Sequence, residues 1–231
     1  SSGQVYELKR RGHWFRRMCL NTGYGEHLLS MIGEVIEQYP VDGIFLDGPG
    51  KTACYGVECL EGMKKSGIDV FDEQQVSAFA QKSDMKFLNK VEKLARRNER
   101  KLFLQYNGVP FRSQPTHCEI EVLPNGEWGY DYLPWMLRYA RTLGKPYVTM
   151  TGRFHKSWRD FGGLRTEHSL LFDCYQSVSN GGSCSIGDHL HPRGRLEPAV
   201  YSLIGRVYGR LREIEPWTDN ARPETEIVVV D

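Results

Sequence analysis

The sequence has no long hydrophobic run; nowhere does it approach the roughly 18 consecutive apolar residues that a helix needs to cross a bilayer. It also lacks charge of one sign. Thirty basic residues against 29 acidic ones leave a formal net charge of +1, and no basic block stands out. Such a chain carries no electrostatic footprint for nucleic acid or for an anionic membrane, so neither is expected as a partner. The opening run Ser-Ser-Gly-Gln-Val is not a secretion signal, has no Met, and reads as a cloning remnant or the cut edge of a longer chain. Disulfides are not expected either. The six cysteines, at positions 19, 54, 59, 118, 174 and 184, lie mostly inside apolar strand or helix patterns. A chain of 231 residues buries enough surface to fold without cross-links, so they are read as reduced core thiols of a cytoplasmic protein.

What the chain does have is 40% apolar residues and 12% aromatics, the composition of a folded domain with rings to spare. The stretch Tyr-Pro-Val-Asp-Gly-Ile-Phe-Leu-Asp-Gly at 39 to 48 organises the reading. A helix stops at Pro40, and a short apolar run, Ile44 to Leu46, ends on Asp47 before Gly48-Pro49-Gly50. That is a buried strand with an acid at its exit. In parallel sheets the carboxyl ends of the strands are where ligands bind. Alternation along the strand puts Asp47 on the face of Phe45 and Gly43, with Ile44 and Leu46 turned toward covering helices. Asp47 could instead only bond turn amides or cap the next element.

The rest of the chain repeats the pattern. Residues 17 to 21 read as a strand ending on Asn21, and Thr22 opens a helix whose stripe is Leu28, Met31, Ile32, Val35, Ile36 and Tyr39. A broken segment from Lys51 to Gln75 follows, containing Cys54 and Cys59. Two cysteines at that spacing are half of a zinc ligand set, but no second Cys pair or His pair follows nearby. The segment is therefore read as a substrate-side loop, with no metal and no cofactor expected. A helix from about Asp84 to Arg97 leads to a strand, 101 to 107, that exits on Asn107. After a link too short for a crossover helix, residues 116 to 122 alternate His117, Glu119 and Glu121 on one face with Cys118, Ile120 and Val122 on the other. Three ionisable groups in a row suit a polar pocket, or else a solvent-facing edge strand. Further strands, 147 to 151 and 183 to 186, exit into Arg153 and His155 and into Asp188 and His189, with helices from Thr166 and about Pro198 to Ile214 between and after them.

Six strands in β-α alternation, each with polar residues at its exit, predict an α/β fold of the (β/α)₈ TIM-barrel type, incomplete at the N-terminus, with about six of eight strands present. An open doubly wound sheet is the alternative. Residues 1–217 would form this barrel domain, and 218–231 a linker followed by the first strand, Glu226 to Val230, of another domain. A neutral, ring-rich cleft with carboxylates suits glycoside hydrolysis, in which one acid attacks the anomeric carbon or activates water and another protonates the leaving oxygen. Asp47 is assigned as nucleophile. Glu121, nearer its strand's exit than Glu119, is assigned as acid/base, with the pKa of one glutamate raised by repulsion and burial. Trp128 and Trp158 are candidates to stack on sugar, and Asn21, Asn107, Arg153, His155, Asp188 and His189 to bond hydroxyls. His117, His155, His189 and His191 leave a metal-dependent hydrolase as a competing reading.

Four runs carry a resemblance: 41 to 48; Glu-Ile-Glu-Val-Leu-Pro-Asn-Gly-Glu-Trp-Gly-Tyr-Asp, 119 to 131; Thr-Gly-Arg-Phe-His-Lys-Ser-Trp-Arg-Asp-Phe-Gly-Gly, 151 to 163; and Ser-Ile-Gly-Asp-His-Leu-His-Pro-Arg-Gly, 185 to 194. Together they resemble the hypothetical glycosyl hydrolase family related to α-L-fucosidases, over most of residues 13 to 217. The resemblance implies a TIM-barrel enzyme acting on fucosides by retention, with Asp47 as nucleophile. It also implies a following domain like the trimerisation domain of β-galactosidases, and so a possible homo-oligomer. Glu121 rests on the strand-face argument alone. A β-galactosidase-like glycosidase and a non-catalytic carbohydrate-binding barrel remain alternatives.

Overall fold

The computed structural model describes residues 18–49, 53–97, 101–222 and 224. The chain divides into two compact units, Ser1–Val109 and Pro110–Asp231.

In the first unit, α1 (Gly23–Gln38), β1 (Gly43–Leu46), α2 (Val57–Lys65), α3 (Glu73–Ala95) and β2 (Phe103–Tyr106) follow in order. The Thr22 hydroxyl accepts from the Tyr24 amide and caps α1, as the sequence predicts. The two strands pair in parallel, Gly43 opposite Phe103 through Leu46 opposite Tyr106. One face of this ribbon carries Ile44, Leu46, Leu104 and Tyr106. It packs against Leu29, Ile32 and Ile36 of α1 and Phe87, Leu88, Val91 and Ala95 of α3. Spacings of three and four along both helices present these side chains as one stripe each, and burying a residue of this size contributes about 1.5–3 kcal/mol.

Two expectations change here. The helix expected from about Asp84 begins at Glu73, because Asp72 accepts from the amides of Gln74 and Gln75 and starts it earlier. Val76 and Ala80 then extend the buried stripe backward. The supposed loop before it contains α2, whose Cys59 and Met63 pack on Val76 in a small core of their own. These residues sit four apart, one helical turn, in a segment whose glycines read as breaks.

The second unit contains β3 (Cys118–Glu121), α4 (Tyr132–Arg141), β4 (Tyr147–Gly152), α5 (Glu167–Ser179), β5 (Ser183–Gly187) and α6 (Pro198–Thr218). Its strands form one parallel sheet in the order β3-β4-β5. Ile120 and Val122 pack on Leu133, Leu137 and Ala140 of α4. Leu170, Leu171 and Cys174 of α5 pack on Leu203, Val207 and Leu211 of α6, with Cys184 and Ile186 of β5 against them.

The barrel expectation is corrected by this topology. The described residues hold five strands in two separate parallel sheets, of two and three strands, and no closed barrel. The strand expected at 17 to 21 is absent among its described residues; Leu20 and Asn21 form a turn into α1, and Arg17 lies outside the description. Leu20 packs on the core between α1 and α3 and Cys19 on that of α2, while Met18 is exposed. Between β2 and β3 the chain makes a 3₁₀ turn, Phe111–Ser113, in place of the long crossover that parallel neighbours require. The expected strand from Glu226 to Val230 also lies outside the described residues.

A buried ion pair fastens the loop after β4 to α5. Arg165 donates through one guanidinium nitrogen to Asp173 Oδ2 and to Thr151 Oγ1, each at 2.7 Å, and reaches the Ser169 carbonyl through the other at 2.7 Å. The Arg165 and Asp173 side chains are 1% and 0% exposed. Burial pushes the Asp173 carboxyl up, while the Arg165 charge and the Thr151 hydroxyl pull it down. Removing one partner strands the other charge in the core, so Arg165→Ala is expected to cost about 3–5 kcal/mol in denaturant unfolding. A loss below about 1 kcal/mol, the scale of a surface pair, would contradict this reading.

Candidate active site

Parallel pairing sets the carboxyl ends of neighbouring strands side by side, and in both sheets those ends carry polar side chains.

In the first unit the ladder runs one step past the strands. The Asn107 amide donates to the Leu46 carbonyl at 2.9 Å, and the Gly48 amide to the Asn107 carbonyl at 3.2 Å. Asp47 and Asn107 therefore stand abreast, and Asn107 Nδ2 donates to Asp47 Oδ1 at 2.9 Å. Asp47 is exposed and Asn107 half-buried. Gly48 follows with φ of 64°, a left-handed turn that a side chain would strain. The register puts Gln105 opposite Phe45, on the face of the sheet that Asp47 extends. Gln105 is 3% exposed, yet its Oε1 has no hydrogen-bond partner among the described residues. A buried amide oxygen left unpaired is costly, and the sequence reading did not single it out.

In the second unit Glu121 ends β3, and its Oε1 accepts from the indole Nε1 of Trp158 at 2.6 Å. Cys118, Ile120 and Val122 are fully buried, while His117, Glu119 and Glu121 are half-buried on the alternate face. Burial lowers the pKa of His117, whose Nδ1 lies 2.9 Å from the Thr116 hydroxyl. Burial first, and then the charge of Glu121, raises the phenol pKa of Tyr132.

Trp158 lies over the ends of the other two strands, and two glycines make room for it. A Cβ at Gly152 would stand 2.9 Å from Trp158 Cζ3, and one at Gly187 only 2.6 Å from the same atom. Gly152 and Gly187 are opposite one another in the β4-β5 ladder, so the indole rests on bare backbone at the sheet's edge.

Past those glycines come Arg153 and Asp188. Arg153 Nε donates to Asp188 Oδ1 at 2.7 Å, with both side chains under a tenth exposed. The His189 amide donates to the same carboxylate oxygen at 2.8 Å. One guanidinium nitrogen of Arg153 also holds the carbonyls of Phe161 and Gly163, at 2.6 and 2.7 Å. Its Cζ sits 4.4 Å from the Phe154 ring centre and 5.5 Å from that of Phe161. The Phe154 ring lies 5.6 Å from Trp158 and 4.6 Å from His189, and Phe161 stacks at 6.2 Å on His189. The result is a half-open aromatic shelf beside Glu121, braced underneath by a buried ion pair.

The structure thus brings Asp47 to Asn107, Glu121 to Trp158, and Arg153 to Asp188 and His189. Glu119 lies within β3, His155 is exposed on the loop after β4, and Trp128 packs against the β3-α4 core. Asn21 is not at a strand exit; its side-chain amide donates to Cys59 Sγ at 3.2 Å. Phe154 and Phe161 are site residues that the sequence analysis does not single out; their place beside Arg153 inside the run 151 to 163 is the available signal.

The Trp158 seat is testable. Gly187→Ala is expected to keep the fold, displace the indole from Glu121, and lower stability by about 1–3 kcal/mol, as overpacking does. Near-ultraviolet circular dichroism, read against Trp158→Phe as the blank, reports the displacement. An unchanged indole signal together with unchanged stability would show that this glycine does not set the ring's position.

No protein-family model and no curated protein sequence matches this chain. Among solved structures it is similar to α-L-fucosidase isoenzyme 2 from Paenibacillus thiaminolyticus, with a TM-score of 0.84 and 33% identity over 93% of this chain. The chain spans 33% of the length of that structure. The likeness supports a fucosidase-related fold and a relation to glycoside hydrolases. Among the described residues, no helix is long and apolar enough to cross a membrane.

Proposed function

We propose that this protein is a glycoside hydrolase of the α-L-fucosidase type, working by a retaining two-carboxylate mechanism. The observation that carries the reading is the likeness to the Paenibacillus fucosidase, at an identity that extends over nearly the whole of this chain. The geometry of the strand ends supports it, because each carboxylate accepts a hydrogen bond from a neutral donor: Asn107 for Asp47 and the Trp158 indole for Glu121.

In this reading Asp47 is the nucleophile. Its carboxylate attacks the anomeric carbon, a glycosyl ester forms, and the bond to the leaving oxygen breaks as Glu121 transfers its proton to that oxygen. Glu121 then takes a proton from water as that water attacks the anomeric carbon, which breaks the bond to Asp47, releases the sugar and returns Asp47 as carboxylate. Glu119, on the same strand face, is the alternative acid/base. The exposed edge of Phe161 and the half-buried Trp158 offer apolar surface to the C–H face of a sugar, and His155 and His189 offer hydrogen bonds to hydroxyls. Arg153 and Asp188 act on each other and hold the shelf in place.

The test is turnover of 4-nitrophenyl α-L-fucoside beside the corresponding β-galactoside. The fucoside is expected to be cleaved and the galactoside spared. Asp47→Asn is expected to abolish turnover with the fold intact, and Glu121→Gln to lower kcat by about 10²–10⁴-fold on substrates with poor leaving groups. Undiminished turnover by the Asp47 variant would refute the assignment, and preference for the galactoside would replace the substrate class.

A further inference from the structure

Cys19 and the sequence-local pair Cys54 and Cys59 meet in the first unit. Cys19 lies before α1, Cys54 in the loop after β1, and Cys59 in the first turn of α2. Their sulfur atoms all lie within 4.8 Å of one another, with Cys19 and Cys59 at 3.4 Å, and none is in a disulfide. We propose that Cys19, Cys54 and Cys59 form a binding site for a thiophilic divalent cation of the Zn²⁺ type, with the fourth position taken by water.

The spacing fits the chemistry. Thiolates at about 2.3 Å from a tetrahedral zinc stand about 3.8 Å from each other, between the Cys19–Cys59 separation of 3.4 Å and the outer bound of 4.8 Å. Three sulfurs converging on one point need only small rotations to share an ion there.

The surroundings fit as well. Asn21 Nδ2 donates to Cys59 Sγ at 3.2 Å, and the Gly56 amide donates to Cys54 Sγ at 3.4 Å. Donors aimed at sulfur stabilise thiolates and orient metal ligands. Cys59 is the third residue of α2, at the positive end of that helix. It is 2% exposed, and Met63, Val76, Phe79, Ile68 and Val70 form an apolar collar that limits competing solvent. Three thiols would release three protons on binding, and three thiolates with a divalent ion leave a net charge of −1. The Asn21 amide and the helix end face that excess charge.

The ion would join the segment before α1, the loop before α2 and the first turn of α2, which meet through side-chain packing and the Asn21–Cys59 hydrogen bond. One of them is the loop that begins just after Asp47. The site therefore acts as a clamp on the exit of β1, whatever reaction the protein performs. The sequence reading took Cys54 and Cys59 without Cys19 because the third ligand is 40 positions from Cys59 and arrives through the fold.

Reduced protein, stripped with chelator and titrated with Co²⁺ and then Zn²⁺, tests this directly. One equivalent of Co²⁺ is expected to produce thiolate-to-metal charge-transfer absorption that Zn²⁺ displaces, and Zn²⁺ is expected to raise Tm. Cys54→Ser should abolish the bands. Asn21→Ala should weaken affinity by about 10–100-fold, as loss of a ligand-orienting donor does. Cys184→Ser, in the second unit, should bind as the parent does. Absence of the bands in protein that is folded by circular dichroism would overturn the proposal. Full binding by Cys54→Ser, or a Cys19–Cys59 disulfide recovered from unreduced protein in place of the ion, would do so as well.

Discussion

Parallel strand pairing is the constraint on which the rest of this structure depends. Each parallel ladder brings the exits of its strands to one edge, so any polar residue following a strand is delivered beside its neighbour's. In the two-stranded sheet this places Asp47 against Asn107, and the contact is one more rung in the same register. In the three-stranded sheet it sets Glu121, Arg153 and Asp188 along a common border, with Trp158 spanning the ends of all three strands. Trp158 comes to them from the segment between β4 and α5, but the strand-end residues themselves need no loop to find this geometry. The backbone ladder supplies it, and the helices packed on the opposite faces keep the ladder rigid.

Around Glu121 the elements have separate duties. Gly152 and Gly187 yield space, Trp158 fills it and orients the carboxylate, and the Arg153–Asp188 pair supports the aromatic shelf from below. A second buried pair, Arg165 with Asp173, anchors the far end of the same loop to α5. Buried ion pairs gain little net stability over apolar packing but penalise misplacement heavily. Two of them bracketing the loop between β4 and α5 suit a segment whose position matters more than its contribution to folding.

Much of this was legible in sequence. The caps at Thr22 and Thr166 and the alternation along residues 117 to 122 appear where the local pattern puts them. So do the polar exits at Asp47, Asn107, Glu121, Arg153 and Asp188, because a strand's end is marked locally by glycine and by the halt of its apolar run. Of the stripe expected for α1, Ile32 and Ile36 are buried and Met31, Val35 and Tyr39 are exposed, with Leu29 taking their place in the core. What was not legible depends on distance or on counting. The expected barrel assumed that every apolar run is a strand and that strands in series join one sheet. Residues 18 to 21 instead feed a helix, and β2 is followed by a 3₁₀ turn. Asn21, taken for a strand exit, turned toward Cys59 for the same reason. Arg165 with Asp173, and Cys19 with the Cys54 and Cys59 pair, are partnerships that no local pattern announces, since each joins separate elements that fold onto one another.

The proposed chemistry rests on Asp47 forming a bond to sugar, and covalent trapping measures that bond itself. A 2-deoxy-2-fluoro-α-L-fucosyl fluoride loses fluoride readily but forms an ester that hydrolyses slowly. Incubation followed by peptide mass spectrometry should find the added fluorofucosyl group on the peptide bearing Asp47, with the label on that residue. A label on another carboxylate, or no label while substrate is still being turned over, would contradict the account.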